Sequence, residues 1–192
     1  MSKVTNILLA GVGGQGILLA SEVLAEVLML AGHDVKKNEI HGMSQRGGSV
    51  TSHVRYGEQV FSPIIPDGEV DILFGFELLE TCRYMPLLRG DGRIIANDLR
   101  IMPPAVATGK QDYPAGLEQV LTSAAEAVII PGLELAQQAG NVRTVNTVLL
   151  GALSNMMDID AELWRKALEK MVPPRFIEEN LAAFALGRDW RN

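Results

Sequence analysis

Two stretches of the chain carry residues suited to holding an anion. Gly11, Gly13 and Gly16 stand at the G-x-G-x-x-G spacing, with Gly14 and Gln15 between them, after the apolar run Ile7 to Ala10 and before a long apolar segment. A turn of this kind leaves backbone N–H groups uncovered at the start of a helix, where the helix dipole favours negative charge. The first chemistry it brings up is a dinucleotide pyrophosphate site, and Glu39, at the end of the next extended run, stands about where a ribose-binding acid belongs. A tight, closely packed strand-to-helix connection needs the same glycines, so the fingerprint alone does not decide. The second stretch is Ser44-Gln45-Arg46-Gly47-Gly48. Arg46 offers a planar fork for phosphate or carboxylate, the glycines let backbone donors approach the same anion, and Ser44 and Gln45 add neutral hydrogen bonds. A surface turn with a solvated arginine is the plain alternative. The loop's place after the second strand, at the carboxyl end of the sheet where open α/β folds bind ligands, favours binding.

No catalytic set accompanies these loops. His41 and His53 have no serine, cysteine or paired carboxylate at a specifying spacing, and His53 sits in an alternating strand where it is expected to face solvent or a carboxylate. Cys82 lies in an apolar helix pattern with Leu78 and Leu79 and reads as core rather than nucleophile. It is the only cysteine, so the chain forms no internal disulfide and cannot ligate an iron–sulfur cluster, which takes about four thiolates. No His/Cys/Asp cluster reads as a metal site. Seventeen basic against 23 acidic residues give a net charge of −6, which leaves a nucleic-acid or anionic-membrane role without electrostatic support. There is no signal-peptide pattern and no run of roughly 18 apolar residues that would span a membrane. A cytoplasmic protein is therefore expected, built as one domain over residues 1–192.

The elements that must position the two loops follow from hydrophobic patterning. Val4 to Ala10 reads as a buried strand and Gln15 to Ala31 as a helix stopped by Gly32. Ser21, Glu22 and Glu26 form the helix's one narrow polar stripe, so most of its surface must be covered, by its own sheet or also by a partner. Asp34 to Ile40 is the second strand. Ser49 to Tyr56, turning at Gly57-Glu58 into Gln59 to Phe61, reads as a hairpin. Val70 to Phe76, a helix from about Glu77 to Leu88, a turn at Gly90-Asp91-Gly92 and a strand from Arg93 to Asn97 continue an α/β rhythm. Leu99 to Pro114 reads as a loop or short hairpin, Gly116 to Ser123 as a helix and Ala127 to Ile130 as a strand. Leu133 to Ala139, Thr144 to Met157, Ala161 to Met171 and Arg175 to Leu186 read as helices. The fold class is α/β: a Rossmann-like, doubly wound, mostly parallel sheet with a β-hairpin insertion and a helical C-terminal segment.

The stretches Gly11-Val12-Gly13-Gly14-Gln15-Gly16 and His41-Gly42-Met43-Ser44-Gln45-Arg46-Gly47-Gly48-Ser49-Val50 occur together. With Asn146-Thr147-Val148-Leu149-Leu150-Gly151-Ala152-Leu153 and Pro173-Pro174-Arg175-Phe176-Ile177-Glu178, they resemble the gamma-type subunit or domain of 2-oxoacid:ferredoxin oxidoreductases. The resemblance spans nearly the whole chain and is greatest to the beta subunits of the indolepyruvate branch. It implies a subunit without cofactors of its own, inactive alone, in an enzyme that oxidatively decarboxylates an aryl- or alkyl-pyruvate, forms the acyl-coenzyme A and passes electrons to ferredoxin. Thiamine diphosphate and the iron–sulfur clusters are implied for a separate large subunit, through which ferredoxin is met. The chain is implied to complete the active site on the coenzyme A side, with Gly11, Gly13, Gly14, Gln15, Gly16, Ser44, Gln45, Arg46, Gly47 and Gly48 at that interface. Two other readings stay open on the residues alone: a free-standing NAD(P)-binding dehydrogenase, and a non-catalytic binding module.

Overall fold

The computed structural model describes residues 4–42 and 48–191. Strand β1 (Thr5–Val12) leads through the glycine turn into helix α1 (Ile17–Leu30), followed by β2 (Asp34–His41), β3 (Ser49–Gly57) and β4 (Val70–Gly75). Helix α2 (Leu78–Tyr84), strand β5 (Leu88–Asn97), the single turn α3 (Pro104–Ala107), α4 (Leu117–Ala124) and β6 (Glu126–Ile130) come next. The chain ends in α5 (Gly132–Gln138), α6 (Val145–Ser154), α7 (Ala161–Met171) and α8 (Ile177–Asp189). The strands form one sheet in the order β2-β3-β1-β4-β5-β6. Neighbours from β1 to β6 are parallel, whereas β3 runs antiparallel to both β1 and β2.

Helices cover both faces of this sheet. On one side α1 and α5 to α8 enclose a core built on Leu9, Phe74, Val148 and Trp164; on the other, α2 and α4 pack Leu78 and Leu121 over Leu8 and Leu73. Ile7 to Ala10 are fully buried, because a parallel strand covered on both faces has no solvent side to fill with polar residues. Glu26, from the polar stripe of α1, is also buried. Helix α7 lies over it, and its carboxylate accepts from Lys170 Nζ at 2.7 Å. The α/β class, the parallel strands and the helical C-terminal segment agree with the sequence reading.

Two local expectations need correction. The hairpin partner of Ser49 to Tyr56 is not Gln59 to Phe61, which is not a strand; β3 instead inserts between β2 and β1. Backbone accounting explains the choice: β3 pairs with β1 along its whole length, from Thr5↔Tyr56 to Val12↔Ser49, whereas a three-residue strand would leave most of β1's donors and acceptors unpaired in the interior. The expected turn at Gly90-Asp91-Gly92 is part of β5, where a register shift between Val70 and Ile72 absorbs the extra residues. Residues 99–114, expected as a loop or short hairpin, form a loop that carries the single turn α3.

Helices α6 and α8 approach almost backbone to backbone. A Cβ added at Gly187 would overlap the Val148 carbonyl, and one at Gly151 would overlap the Phe184 carbonyl. Because neither obstacle is a flexible side chain, Gly187→Ala is expected to destabilise the protein by about 1–3 kcal/mol, in the range of core overpacking. Gly90→Ala, whose Cβ would meet nothing, is the control. Thermal unfolding of the two variants checks this, and equal Tm values would contradict it.

Candidate functional site

The glycine turn sits at the carboxyl end of β1, between β3 and β4. Gly16 precedes α1 with φ 76, a left-handed conformation that favours glycine, and Gly14 also has positive φ. Gln15 folds back over the turn: Val12 N–H donates to its Oε1 at 2.6 Å, and its Nε2 donates to the Phe76 carbonyl at 2.8 Å. Gly11 leaves the room for this, since a Cβ there would lie 2.5 Å from Gln15 Oε1. Gly13 N–H donates to the Gly48 carbonyl at 3.0 Å, tying the turn to the start of β3. Gln15 and Gly13 are thus committed to holding the turn. Gly14, Gly16 and the first turn of α1, which has no side-chain cap and no acidic residue, are left facing outward.

A line of hydrogen bonds continues across the strand ends. Phe76 N–H donates to the Ala10 carbonyl at 2.8 Å. The Phe76 carbonyl also accepts from Asn97 Nδ2 at 3.2 Å, and Asn97 Oδ1 accepts from Gly132 N–H at 3.1 Å. These bonds fix the ends of β1, β4 and β5 and the start of α5 relative to one another. Beside them lies a cavity of about 510 Å³ whose lining includes Gly14, Gly16, Leu19, Asn97, Arg143 and Asn146.

On the other flank of the turn, a cavity of about 300 Å³ is lined by Val12, Ser49, Glu77, Glu80 and Arg83, among others. Glu77 is buried and caps α2, its Oε2 accepting from Glu80 N–H at 2.8 Å. Its Oε1 accepts from Ile101 N–H at 3.1 Å and from the Tyr113 hydroxyl at 2.8 Å. Burial, reinforced by that bond to the carboxylate, pushes the Tyr113 phenol well above its ordinary value. Glu77 therefore pins the segment after β5 against α2. Cys82 is half-buried, and burial likewise raises its thiol, which keeps it protonated and suits its reading as a packing residue.

Of the residues singled out by sequence, Gly11, Gly13, Gly14, Gln15, Gly16 and Gly48 come together here. Ser44, Gln45, Arg46 and Gly47 lie outside the described residues. Glu39 is not placed as a ribose ligand: β3 separates its strand from β1, a displacement of about two strand spacings, or ~10 Å, and its carboxylate is bonded to Lys37 Nζ at 2.7 Å. Exposed His41 lies 3.7 Å from Glu39. Sequence reasoning missed Asn97, Glu77, Arg143 and Asn146. The first two carried a signal: each is a polar residue directly after a buried apolar strand run, at the end where such sheets bind ligands. Among the described residues, no group of three His, Cys, Asp or Glu side chains is arranged to hold a metal ion, and no helix is long and apolar enough to cross a membrane.

Residues 6–190 match the protein family described as pyruvate ferredoxin/flavodoxin oxidoreductase. A Pyrococcus horikoshii protein named indolepyruvate oxidoreductase subunit IorB is 38% identical over 192 residues, spanning 96% of this chain and 95% of that one. Among solved structures, the gamma subunit of a keto/oxoacid ferredoxin oxidoreductase from Geobacter sulfurreducens aligns with TM-score 0.70 and 25% identity over 95% of each chain. A 2-oxoglutarate:ferredoxin oxidoreductase from Magnetococcus marinus, whose structure holds 2-oxoglutarate, coenzyme A and succinyl-CoA, shares the fold. It aligns with TM-score 0.77 and 20% identity over 98% of this chain and 31% of that longer one.

His53 contradicts its expected setting facing solvent or a carboxylate. It is buried, and its Nδ1 accepts from Ile65 N–H at 3.2 Å. Burial, with a smaller contribution from Arg55, holds its pKa below the usual 6.5. The unfolded chain then takes up this proton first as pH falls, so the stability tied to neutral His53 is complete above about pH 6.5 and declines below it. Denaturant unfolding between about pH 7.5 and 5.5 is expected to show that loss, and His53→Gln, which keeps an acceptor without titrating, is expected to reduce it. An unchanged pH dependence in the variant would contradict the assignment.

Proposed function

Because this chain belongs to the pyruvate ferredoxin/flavodoxin oxidoreductase family, we propose that it is the subunit without cofactors of an indolepyruvate-type 2-oxoacid:ferredoxin oxidoreductase. The observation that carries this reading is the end-to-end match to the archaeal subunit, 38% identical over 96% of one chain and 95% of the other. The family places the chain in an oxidoreductase of 2-oxoacids. The arylpyruvate substrate, the partner's content and the transfer of electrons to ferredoxin are the finer parts of the proposal.

The chain's own chemistry supports a division of labour. An iron–sulfur cluster does not fit here, because the chain's single cysteine cannot replace about four thiolates. The clusters and thiamine diphosphate are assigned to a large partner subunit, which meets ferredoxin and makes the chain a component of a heteromer. What this chain contributes is binding and enclosure. The carboxyl end of its sheet is ringed by exposed Leu18, Met102, Leu133 and Val142, an apolar rim suited to docking on another protein. Closing that end against the partner would exclude water from the reacting groups. The glycine turn, Gly11 to Gly16, and the loop Ser44 to Gly48 are proposed to face coenzyme A, with Arg46 on one of its phosphates. Among the described residues the two cavities flanking the turn are lined by no histidine, in keeping with a role in orienting and shielding. The dehydrogenase alternative is not favoured, because Glu39 is a strand too far from the turn.

Purified alone, the chain is expected to be colourless, to leave NAD(H) unbound and to oxidise no 2-oxoacid. Mixed with the large subunit and coenzyme A, it is expected to restore arylpyruvate-dependent ferredoxin reduction. NAD-dependent turnover by the chain on its own would overturn the proposal.

A further inference from the structure

The cavity beside the glycine turn holds donors that nothing in the turn itself accounts for. Two helices begin at it, α1 with Gly16 and Leu19 and α6 with Val145 and Asn146. The first turn of α1 has no side-chain cap and no acidic residue, so its positive end is open to this space; α6 instead continues a 3₁₀ turn at Val142–Thr144 that Asn141 caps by accepting from Arg143 N–H at 2.9 Å. Asn146 is only 6% exposed. Its Oδ1 accepts from Thr147 N–H at 3.0 Å, which leaves Nδ2 turned towards Gly16, 3.0 Å from where a Cβ would stand. That amide has no acceptor among the described residues and borders the cavity, into which it can donate. Arg143 is exposed at the cavity's edge, and its guanidinium has no ion pair or hydrogen bond among the described residues.

The scaffold holds these donors in place. Thr147 Oγ1 donates to Asn180 Oδ1 at 2.6 Å, and Asn180 Nδ2 donates to the Phe176 carbonyl at 2.8 Å. This buried polar chain fixes the first turn of α6 against α8, so Asn146 is presented on a rigid element. Leu19, Phe76, Leu99 and Val142 supply apolar wall. At about 510 Å³, the cavity falls within the range of small-molecule sites.

We propose that the first turn of α1, Asn146 Nδ2 and the Arg143 guanidinium together form an oxyanion site that takes a phosphate or a carboxylate attached to a partly apolar molecule. The site rests on the function proposed above, in which the assembled enzyme handles two such anions: the phosphates of coenzyme A and the carboxylate of the 2-oxoacid. The shared chemistry is charge-assisted hydrogen bonding to oxygen at the open N-terminus of α1, with the Arg143 guanidinium beside it.

Steady-state kinetics of the assembled enzyme tests this with Arg143→Ala and Asn146→Asp, using coenzyme A, pantetheine (which lacks the phosphates) and the arylpyruvate as probes. Each variant is expected to raise the KM for coenzyme A by about tenfold, the scale of one lost charge-assisted bond, leaving the KM for pantetheine unchanged. A rise confined to the KM for arylpyruvate would support the same site with the carboxylate as its occupant. Arg143→Ala removes only an exposed side chain, so it keeps the test decisive if the Asn146 variant folds poorly. Unchanged KM values for both substrates in a variant of parental Tm would overturn the site. If Arg46→Ala then still raised the KM for coenzyme A, the inference would fall and the coenzyme A reading would stand. If Arg46→Ala also changed nothing, both would fall.

Discussion

The carbonyl of Phe76 is the point on which the functional end of this protein depends. It accepts from Gln15 and from Asn97, and through them it joins the glycine turn after β1, the end of β4, the end of β5 and the start of α5. Without these bonds the turn would be a glycine-rich loop with few contacts of its own, and α1 would have no fixed origin. Gln15 makes the arrangement economical in donors: one side-chain amide satisfies a buried N–H and a buried carbonyl, either of which would be costly to strand unpaired. The turn is thereby rigid before any ligand arrives, with its outward amides still uncommitted. Rigid presentation of unsatisfied donors is what a site for oxyanions requires.

The same glycines lead elsewhere in a dinucleotide-binding fold, and the difference lies in one strand. In that fold the strand after α1 lies beside β1, which brings its terminal acid to the ribose. Here β3 occupies that place, antiparallel and paired along all of β1, and moves Glu39 out to an edge strand where it bonds Lys37. The insertion also brings the Gly48 carbonyl to Gly13 N–H, closing off part of the surface that a pyrophosphate would approach. A change in strand order thus redirects a familiar turn without altering its glycine spacing.

What the sequence revealed and what it concealed follow from range. The β1–turn–α1 unit was legible because its pattern is local: a run buried on both faces, glycines, then helical periodicity. The strand Ser49 to Gly57 was legible as a strand but not in its partners, because Gly57-Glu58 offered a nearby turn while the actual choice was made by the unpaired edge of β1. Gln15 could be read as a ligand-facing amide, yet its acceptor is 61 residues further on. Arg143 carries no signal where it stands in the chain, and Asn146 opens a stretch that marks the family without marking a site. The packing of α6 on α8, through the close approach at Gly151 and Gly187, and on α1 and α5 brings them to the turn. The family resemblance, by contrast, was carried by motifs at the spacing of whole elements and spans residues 6–190.

These features describe a scaffold in which the back of the sheet is locked by helices and the carboxyl end is left open, apolar at the rim and rich in donors within. In the function proposed above, the cofactor-bearing subunit covers this end. Amide hydrogen exchange, compared between the isolated chain and the assembled enzyme, tests it most directly. Slowed exchange on assembly is expected at residues 11–19, 98–103 and 141–146, with the loop at 58–66, at the opposite end of the sheet, unaffected. Protection confined to 58–66, with the glycine turn exchanging as before, would contradict it.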